Sequence, residues 1–314
     1  MGNYRYQSFG AKNLYCEKLL NQYGGDITPG VNPYGGMDYY VDNNYGSAGN
    51  DGLSWDTPKK TLATAITLSN ANIAADARGR GRGWASRNRI FYRADTETAD
   101  LVTFPNKCDV IGVGSYDANA KPGITGNHVP VNAGNYGTRF FNVHFKAPAD
   151  ASPIVTLAST SSGIQFVGCT FDATATTTIG IQATASPFLQ VIDCDFRGAF
   201  VTSYITFGTG EAGATLIEGN RMCDAAAKGI ITGSGTTSSW AMIVRNNYIE
   251  ATTIIIDDDG DELWISRNDL ITAATVTTSP TFAEALDVDA TRVANNWLTA
   301  ANVATHYPVI DTTT

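Results

Sequence analysis

Through the C-terminal half of the chain, a run of hydrophobic residues leads to a small or amide residue, one spacer and a large apolar residue. This phrase returns about every 26 residues. Its closing apolar residues are Phe145, Phe171, Phe196, Met222, Tyr248, Leu270 and Trp297, at steps of 26, 25, 26, 26, 22 and 27. A second phrase lies roughly half a coil away. From Val155 it recurs at Gly180, Ile205, Ile230 and Ile255 with a step of 25, and a step of 31 then leads to Leu286. A fixed period of this size, built from short β-rich runs separated by Gly, Ser, Thr, Asn and Asp, predicts stacked coils. The repeated runs are Ile, Val, Phe and Thr, which suit a half-buried pleated surface and not the denser Leu spacing of a leucine-rich repeat.

Two positions before each closing residue stand Val143, Cys169, Cys194, Asn220, Asn246, Asn268 and Asn295. Equivalent residues of adjacent coils lie about 4.8 Å apart, so the thiols and asparagines of this column stack like on like. A buried Asn can then hydrogen-bond to the Asn above and below, which satisfies amides that are costly to bury alone. Cys169, Cys194, Asn220, Asn246, Asn268 and Asn295 are therefore read as a structural ladder.

Ahead of the repeat, residues 1 to 36 hold Tyr4, Tyr6, Phe9, Tyr15, Tyr23 and Tyr34 among Gly and Asn, with one short helical pattern from Lys12 to Gln22. This segment reads as an arm for attachment or oligomerisation, because aromatics in irregular chain need something to pack against. Residues 37 to 314 read as the solenoid. They open with Tyr39-Tyr40-Val41-Asp42, a Gly/Asn-rich loop ending in Gly52-Leu53-Ser54-Trp55, and Asp56-Thr57-Pro58 before a Thr/Ala-rich helix. Asp56 or Thr57 would cap that helix, Pro58 would occupy its first turn, and Leu62, Ala65 and Ile66 would form its apolar face.

The strand, the Gly-Leu-Ser-Trp phrase and the helix together resemble the opening of the pectate-lyase-like right-handed β-helix superfamily, and Lys121-Pro122-Gly123-Ile124 resembles its early coils. The resemblance spans about residues 38 to 298. It implies an all-β chain, a right-handed parallel β-helix with a short N-terminal capping helix that covers unpaired strand edges. Its motifs specify fold and not activity.

At 314 residues with 43% hydrophobic content, the chain can bury one elongated core. The formal net charge of −9 argues against a broad nucleic-acid surface. Arg78, Arg80, Arg82, Arg87, Arg89 and Arg93 surround a Gly-rich stretch and are read as a loop paired with the acidic excess elsewhere or with a neighbouring subunit, in preference to a phosphate or nucleic-acid site, since one loop makes no groove. Five cysteines without CxxC spacing indicate neither a disulfide framework nor a zinc site. No stretch approaches 18 apolar residues and Met1 to Asn13 has no apolar h-region, so neither membrane insertion nor Sec-type secretion is expected.

The densest charged site is Asp257, Asp258, Asp259, Gly260, Asp261 and Glu262, with Asp287 and Asp289 one coil later. Acids on adjacent coils suit a paired-carboxylate glycosidase, or oxygen ligation of calcium by Asp257, Asp259 and Asp261. If the chain is an enzyme, Asp257, Asp259, Asp261, Glu262, Asp287 and Asp289 are the candidates. The run lacks EF-hand spacing, and carboxylates in a tight turn commonly form a solvated acidic loop. Arg221, Arg245 and Arg267 lie beside the asparagine column as a candidate outward stripe. The histidines, His128, His144 and His306, are too scattered for a triad.

The expected function is a non-enzymatic structural protein of a bacteriophage-like virion, displayed on capsid or tail, because short β-helices with an N-terminal arm resemble phage decoration and spike proteins. The alternative is a tailspike-type glycan depolymerase or a glycan-binding module. Expected partners are copies of the chain itself as a homotrimer, other virion proteins through the arm, and a host surface glycan. Neither nucleic acid nor membrane is expected, calcium is the one cofactor considered, and the protein would be made in the host cytoplasm and reside in the virion.

Overall fold

The structure is a computed structural model that describes residues 36–75, 86–114, 121–131, 135–158, 161–174, 176–232, 236–237, 242–258, 263–272, 286–288, 292–294, 296–300 and 307–309. Each repeat folds as one coil of short strands that pair in parallel with their equivalents one coil away, except Tyr307–Val309, which pairs antiparallel with Asn296–Ala300. The first face is a ten-stranded sheet running from Asp38–Asp42 through Asn88–Arg93, Cys108–Gly112, Arg139–Phe141, Gln165–Val167, Gln190–Ile192, Leu216–Glu218, Met242–Arg245 and Leu263–Ser266 to Arg292–Ala294. The second face stacks His144–Lys146, Thr170–Asp172 and Asp195–Arg197, and the third stacks Val155–Leu157, Ile179–Ala183 and Ser203–Phe207. From the next coil on, the long strands Arg221–Thr232 and Tyr248–Asp258 run through both of these faces. Parallel crossovers of this kind are right-handed, and the molecule is a right-handed parallel β-helix.

The register corrects the sequence alignment at four places. Met222 pairs with Ile249, not Tyr248, and Leu270 pairs with Ile249 on one side and Leu298 on the other, not Trp297. In the second phrase, Val155 and Ile205 flank Ile181, and Ile230 and Leu286 flank Ile256, one residue beyond Gly180 and Ile255. The reason lies in the corners. Between the first and second faces the coils from Arg139–Phe141 to Leu263–Ser266 each turn through one left-handed residue: Asn142 (φ 55°), Gly168 (59°), Asp193 (48°), Gly219 (68°), Asn246 (55°) and Arg267 (55°). Gly, Asn and Asp tolerate this conformation best. Its backbone N–H donates to the next coil's strand end, as from Asn142 to Val167 O (3.1 Å) and from Gly168 to Ile192 O (2.9 Å). A second left-handed corner, Lys107, Gly137, Gly163, Phe188 and Ala214, stacks before the first face.

The core is inside the coil. Phe145, Phe171 and Phe196 stack at centroid separations of 5.4 and 4.8 Å, and Phe140 stacks on Phe166 at 5.5 Å. Such offset stacks add about 0.5–1.5 kcal/mol per pair beyond area burial.

The N-terminal edge is closed as the resemblance implied, with different capping residues. Lys59 is taken up by a bridge to Val41, its N–H donating to Tyr40 O and its carbonyl accepting from Asp42 N, both at 2.9 Å. The helix therefore starts later, as Leu62–Ala75. Thr61 caps it in place of Asp56 or Thr57, its Oγ1 accepting from Thr64 N, while the buried Glu97 carboxylate accepts from Leu62 N at 3.1 Å. Burial raises the Glu97 carboxyl above its ordinary range, and the Leu62 amide opposes that. Leu62, Ala65, Ile66, Ser69 and Ile73 form the buried side of the helix. The arm lies outside the described residues up to residue 35.

Candidate functional site

The column two positions before the closing residues is buried and continuous: Val143, Cys169, Cys194, Asn220, Asn247 and Asn268. Asn247 Oδ1 accepts from both Asn220 N and Asn220 Nδ2 at 2.9 Å, and Asn268 Oδ1 does the same for Asn247 N and Nδ2, also at 2.9 Å. Each Nδ2 also donates to the carbonyl of a strand on the first face: Asn220 to Val191, Asn247 to Ile217 and Asn268 to Val244, at 2.8–3.0 Å. Asn220 and Asn247 thus spend their amides on both neighbouring coils, which is why burying them is tolerated.

Asn246 is not a rung. It is the left-handed corner residue, exposed, with its Nδ2 donating to Glu218 Oε1 at 3.1 Å. Asn295 lies outside the described residues, and by backbone register Asn296 stands opposite Asn268. In the pair Asn246-Asn247 the second residue occupies the ladder register, because Asn suits the left-handed corner and the buried rung equally. Cys169 and Cys194 are buried free thiols in consecutive rungs, with Sγ atoms donating to carbonyls including Phe140 and Phe166. Burial pushes the Cys194 thiol well up.

The outer faces carry the charge. On the first face Asp38, Arg89, Asp109 and Arg139 alternate in one register column. Arg89 holds Asp38 through Nε and Nη2 at 2.8 and 2.7 Å, and Asp109 takes both Arg139 and Arg87 at 2.6–2.7 Å. Arg93 pairs with Asp42 four residues along and lies over the Trp55 ring at 4.9 Å. Burial alone would raise the Asp42 carboxyl, but the Tyr45 amide and Arg93 hold it below its ordinary value. Arg87, Arg89 and Arg93 of the arginine-rich stretch are thus ion-paired, while Arg78, Arg80 and Arg82 lie outside the described residues.

Farther along the first face Glu218 takes Arg245 at 2.9 Å; on the second face His144 Nε2 meets Asp172 Oδ2 at 3.2 Å, and Asp195 takes Arg197 and, at 3.6 Å, Arg221. Lys121 is buried against this face, its Nζ donating to Gly168 O (2.7 Å) and Thr170 Oγ1 (3.0 Å). Burial pulls its ammonium below the ordinary lysine range, opposed by the Cys169 and Cys194 thiols and Asp195. Arg221, Arg245 and Arg267 do not form a stripe: they occupy the second face, the first face and the corner between them.

The acidic candidates are only partly placed. Asp257 and Asp258 end the strand Tyr248–Asp258, and Asp257 pairs by backbone register with Asp287. Asp259, Asp261, Glu262 and Asp289 lie outside the described residues, as does His306. Among the described residues no group of three or more His, Cys, Asp or Glu is placed to hold a metal ion, and no helix is long and apolar enough to cross a membrane. His128 is buried, its Nδ1 accepting from Leu101 N at 3.2 Å and its ring edge-on to Phe145. Burial drops it to about 4, so it is neutral at pH 7 with the proton on Nε2.

The strand register defines a protein of the parallel β-helix class. Among solved structures the chain is similar to the crystal structure of pectate lyase Pel9A, with a TM-score of 0.44 and 10% identity, covering 84% of this chain and 79% of that chain. No protein-family model and no curated protein matches it.

Proposed function

We propose that this chain is a non-enzymatic structural protein of a bacteriophage-like virion, displayed on the capsid or tail surface as a decoration or spike protein. The observation that carries the reading is the pairing of surface charge along the stack. Asp38, Asp42, Asp109 and Glu218 are each engaged by an arginine from an adjacent coil. Groups neutralised this way brace one coil against the next; a lyase or hydrolase needs acids, bases or cations turned toward a substrate. Faces braced in this way suit a rigid rod assembled as a homotrimer, made in the host cytoplasm and joined to other virion proteins through residues 1 to 36.

A second reading, a host-glycan depolymerase or glycan-binding module, draws on the register of Asp257 with Asp287 on adjacent coils. There Asp257, Asp259, Asp261, Glu262, Asp287 and Asp289 would be the working acids, and calcium would act as an oxygen-bound Lewis acid. Mass photometry of the purified protein, followed by incubation with capsular and lipopolysaccharide preparations, separates the two. A stable trimer that releases neither reducing ends nor unsaturated products is the expected result. Product formation that is lost in an Asp257→Asn, Asp287→Asn variant would overturn the structural reading.

A further inference from the structure

Outward residues on a solenoid face need no apolar character, because the core is inside the coil. The first face has it nonetheless. Its outer register column Tyr40, Phe91, Ile111, Phe141, Val167, Ile192 is apolar over six consecutive coils before it turns to Glu218 and Arg245. At that point the neighbouring outer column changes the opposite way, from Asp38, Arg89, Asp109, Arg139, Gln165 and Gln190 to Leu216 and Ile243. The stripe therefore steps sideways and continues. Six coils at about 4.8 Å span roughly 24 Å.

This stripe is already covered. Tyr40, Phe91, Ile111, Phe141 and Val167 are 6%, 2%, 8%, 9% and 5% exposed, and the outward Arg89 is 0% exposed. Ile192, Leu216 and Ile243, farther along, are only partly buried. Among the described residues Trp55 lies edge-on to Tyr40 at 5.0 Å and reaches only the first coil, and the Arg89 and Arg139 guanidiniums lie over the Phe91 and Phe141 rings at 5.4 and 5.6 Å. The chain enters this face at its edge: Met37 N donates to Asn88 Oδ1 at 2.8 Å, and Gly36 lies so close to Arg87 O that an added Cβ would stand 2.2 Å from it.

We infer that residues 1–35 dock in cis along the outer apolar stripe of the first face, from Tyr40 to about Val167. These 35 residues end where that face begins, and they are long enough, since even a fraction of them extended spans the stripe at about 3.3 Å per residue. They also carry matching chemistry in Tyr4, Tyr6, Phe9, Tyr15 and Tyr23. The segments 76–85 and 115–120 are shorter and joined to described chain at both ends. The inference is independent of the virion reading. It changes the role of the arm, from a free tether to a cover whose displacement would bare an apolar surface.

The test uses the full chain with a photoreactive benzophenone side chain at position 192, at the stripe's partly exposed margin, and equal amounts of isotopically light and heavy protein mixed before irradiation. Cross-links into residues 1–35 that join light to light and heavy to heavy are expected. Mixed light–heavy cross-links would show a second copy on the stripe, and cross-links confined to 76–85 or 115–120 would show a loop; either overturns the inference. A full-length Tyr4→Ser, Tyr6→Ser, Phe9→Ser variant adds an independent reading. Its binding of an apolar surface dye is expected to rise several-fold at unchanged far-UV circular dichroism, and unchanged dye binding contradicts the docking.

Discussion

The coils up to Phe196 and those from Asn220 onward are built on the same three faces but hold their register differently. In the earlier coils the inward column is Val143, Cys169 and Cys194, flanked by the stacked rings of Phe145, Phe171 and Phe196. Coil lengths there are uniform, with register-equivalent steps of 26, 25 and 26 from Phe145 to Met222. In the later coils the column is Asn220, Asn247 and Asn268 beside the aliphatic Met222 and Ile249, and the steps become 27, 21 and 28 from Met222 to Leu298. An apolar column stacks by volume and is nearly indifferent to small displacements along the chain. An amide column is satisfied only when each Oδ1 meets the N–H and Nδ2 of the coil before it. The polar rungs thus appear where coil length no longer enforces alignment. The two regimes join where Cys194 N donates to Asn220 Oδ1 at 2.8 Å.

The largest effect is expected from Asn247→Asp. A carboxylate oxygen in place of Nδ2 would face the Ile217 and Asn268 oxygens, two acceptors with no proton between them, at a cost of about 4 kcal/mol or more at pH 7. Urea midpoints should recover part of this loss, relative to wild type, at a pH low enough to protonate the acid and restore one donor. No recovery would show that the loss comes from packing and not from the missing donor.

The earlier coils carry their own pH dependence, through His128. Its folded-state value is about 4 against an unfolded value near 6.5, so the unfolded chain binds the extra proton between those limits. Stability is full above about pH 6.5 and falls as pH drops toward 4, by roughly 3 kcal/mol in all. A His128→Phe variant should lack that part of the slope between pH 7.5 and 4.5, and an identical slope would place the titration elsewhere.

A smaller loss, about 2 kcal/mol, is expected for Asp109→Asn, which leaves Arg87 and Arg139 without their shared carboxylate; both guanidiniums keep some solvent, which limits the cost. Because the pairing is electrostatic, the difference from wild type should shrink in 1 M salt. A salt-independent loss would assign the effect to packing.

Fold class was legible because a solenoid writes its period directly into sequence: Phe145, Phe171, Phe196 and Met222 were placed in their true register by spacing alone. The method failed at Asn246-Asn247, where the step lengthens to 27 and both residues suit their neighbours' positions. The helix start was misplaced because Lys59 is recruited by the distant Val41, a contact no local capping pattern contains. The buried Lys121 and the charge column Asp38–Arg89–Asp109–Arg139 were missed for a related reason. Their signal is a register between residues 20 to 51 positions apart, in a region where the coils are too irregular for a period to reveal it.

The account stands most directly on one comparison, the urea denaturation of Asn246→Ala against Asn247→Ala. Removing the exposed corner amide costs about 1 kcal/mol through left-handed backbone strain, whereas removing the rung leaves the Asn220 donors and the Ile217 carbonyl unpaired in the core at about 4 kcal/mol. Asn247→Ala is therefore predicted to unfold at a much lower urea concentration than Asn246→Ala. Equal midpoints, or a larger loss at Asn246, would contradict the ladder and the register built on it.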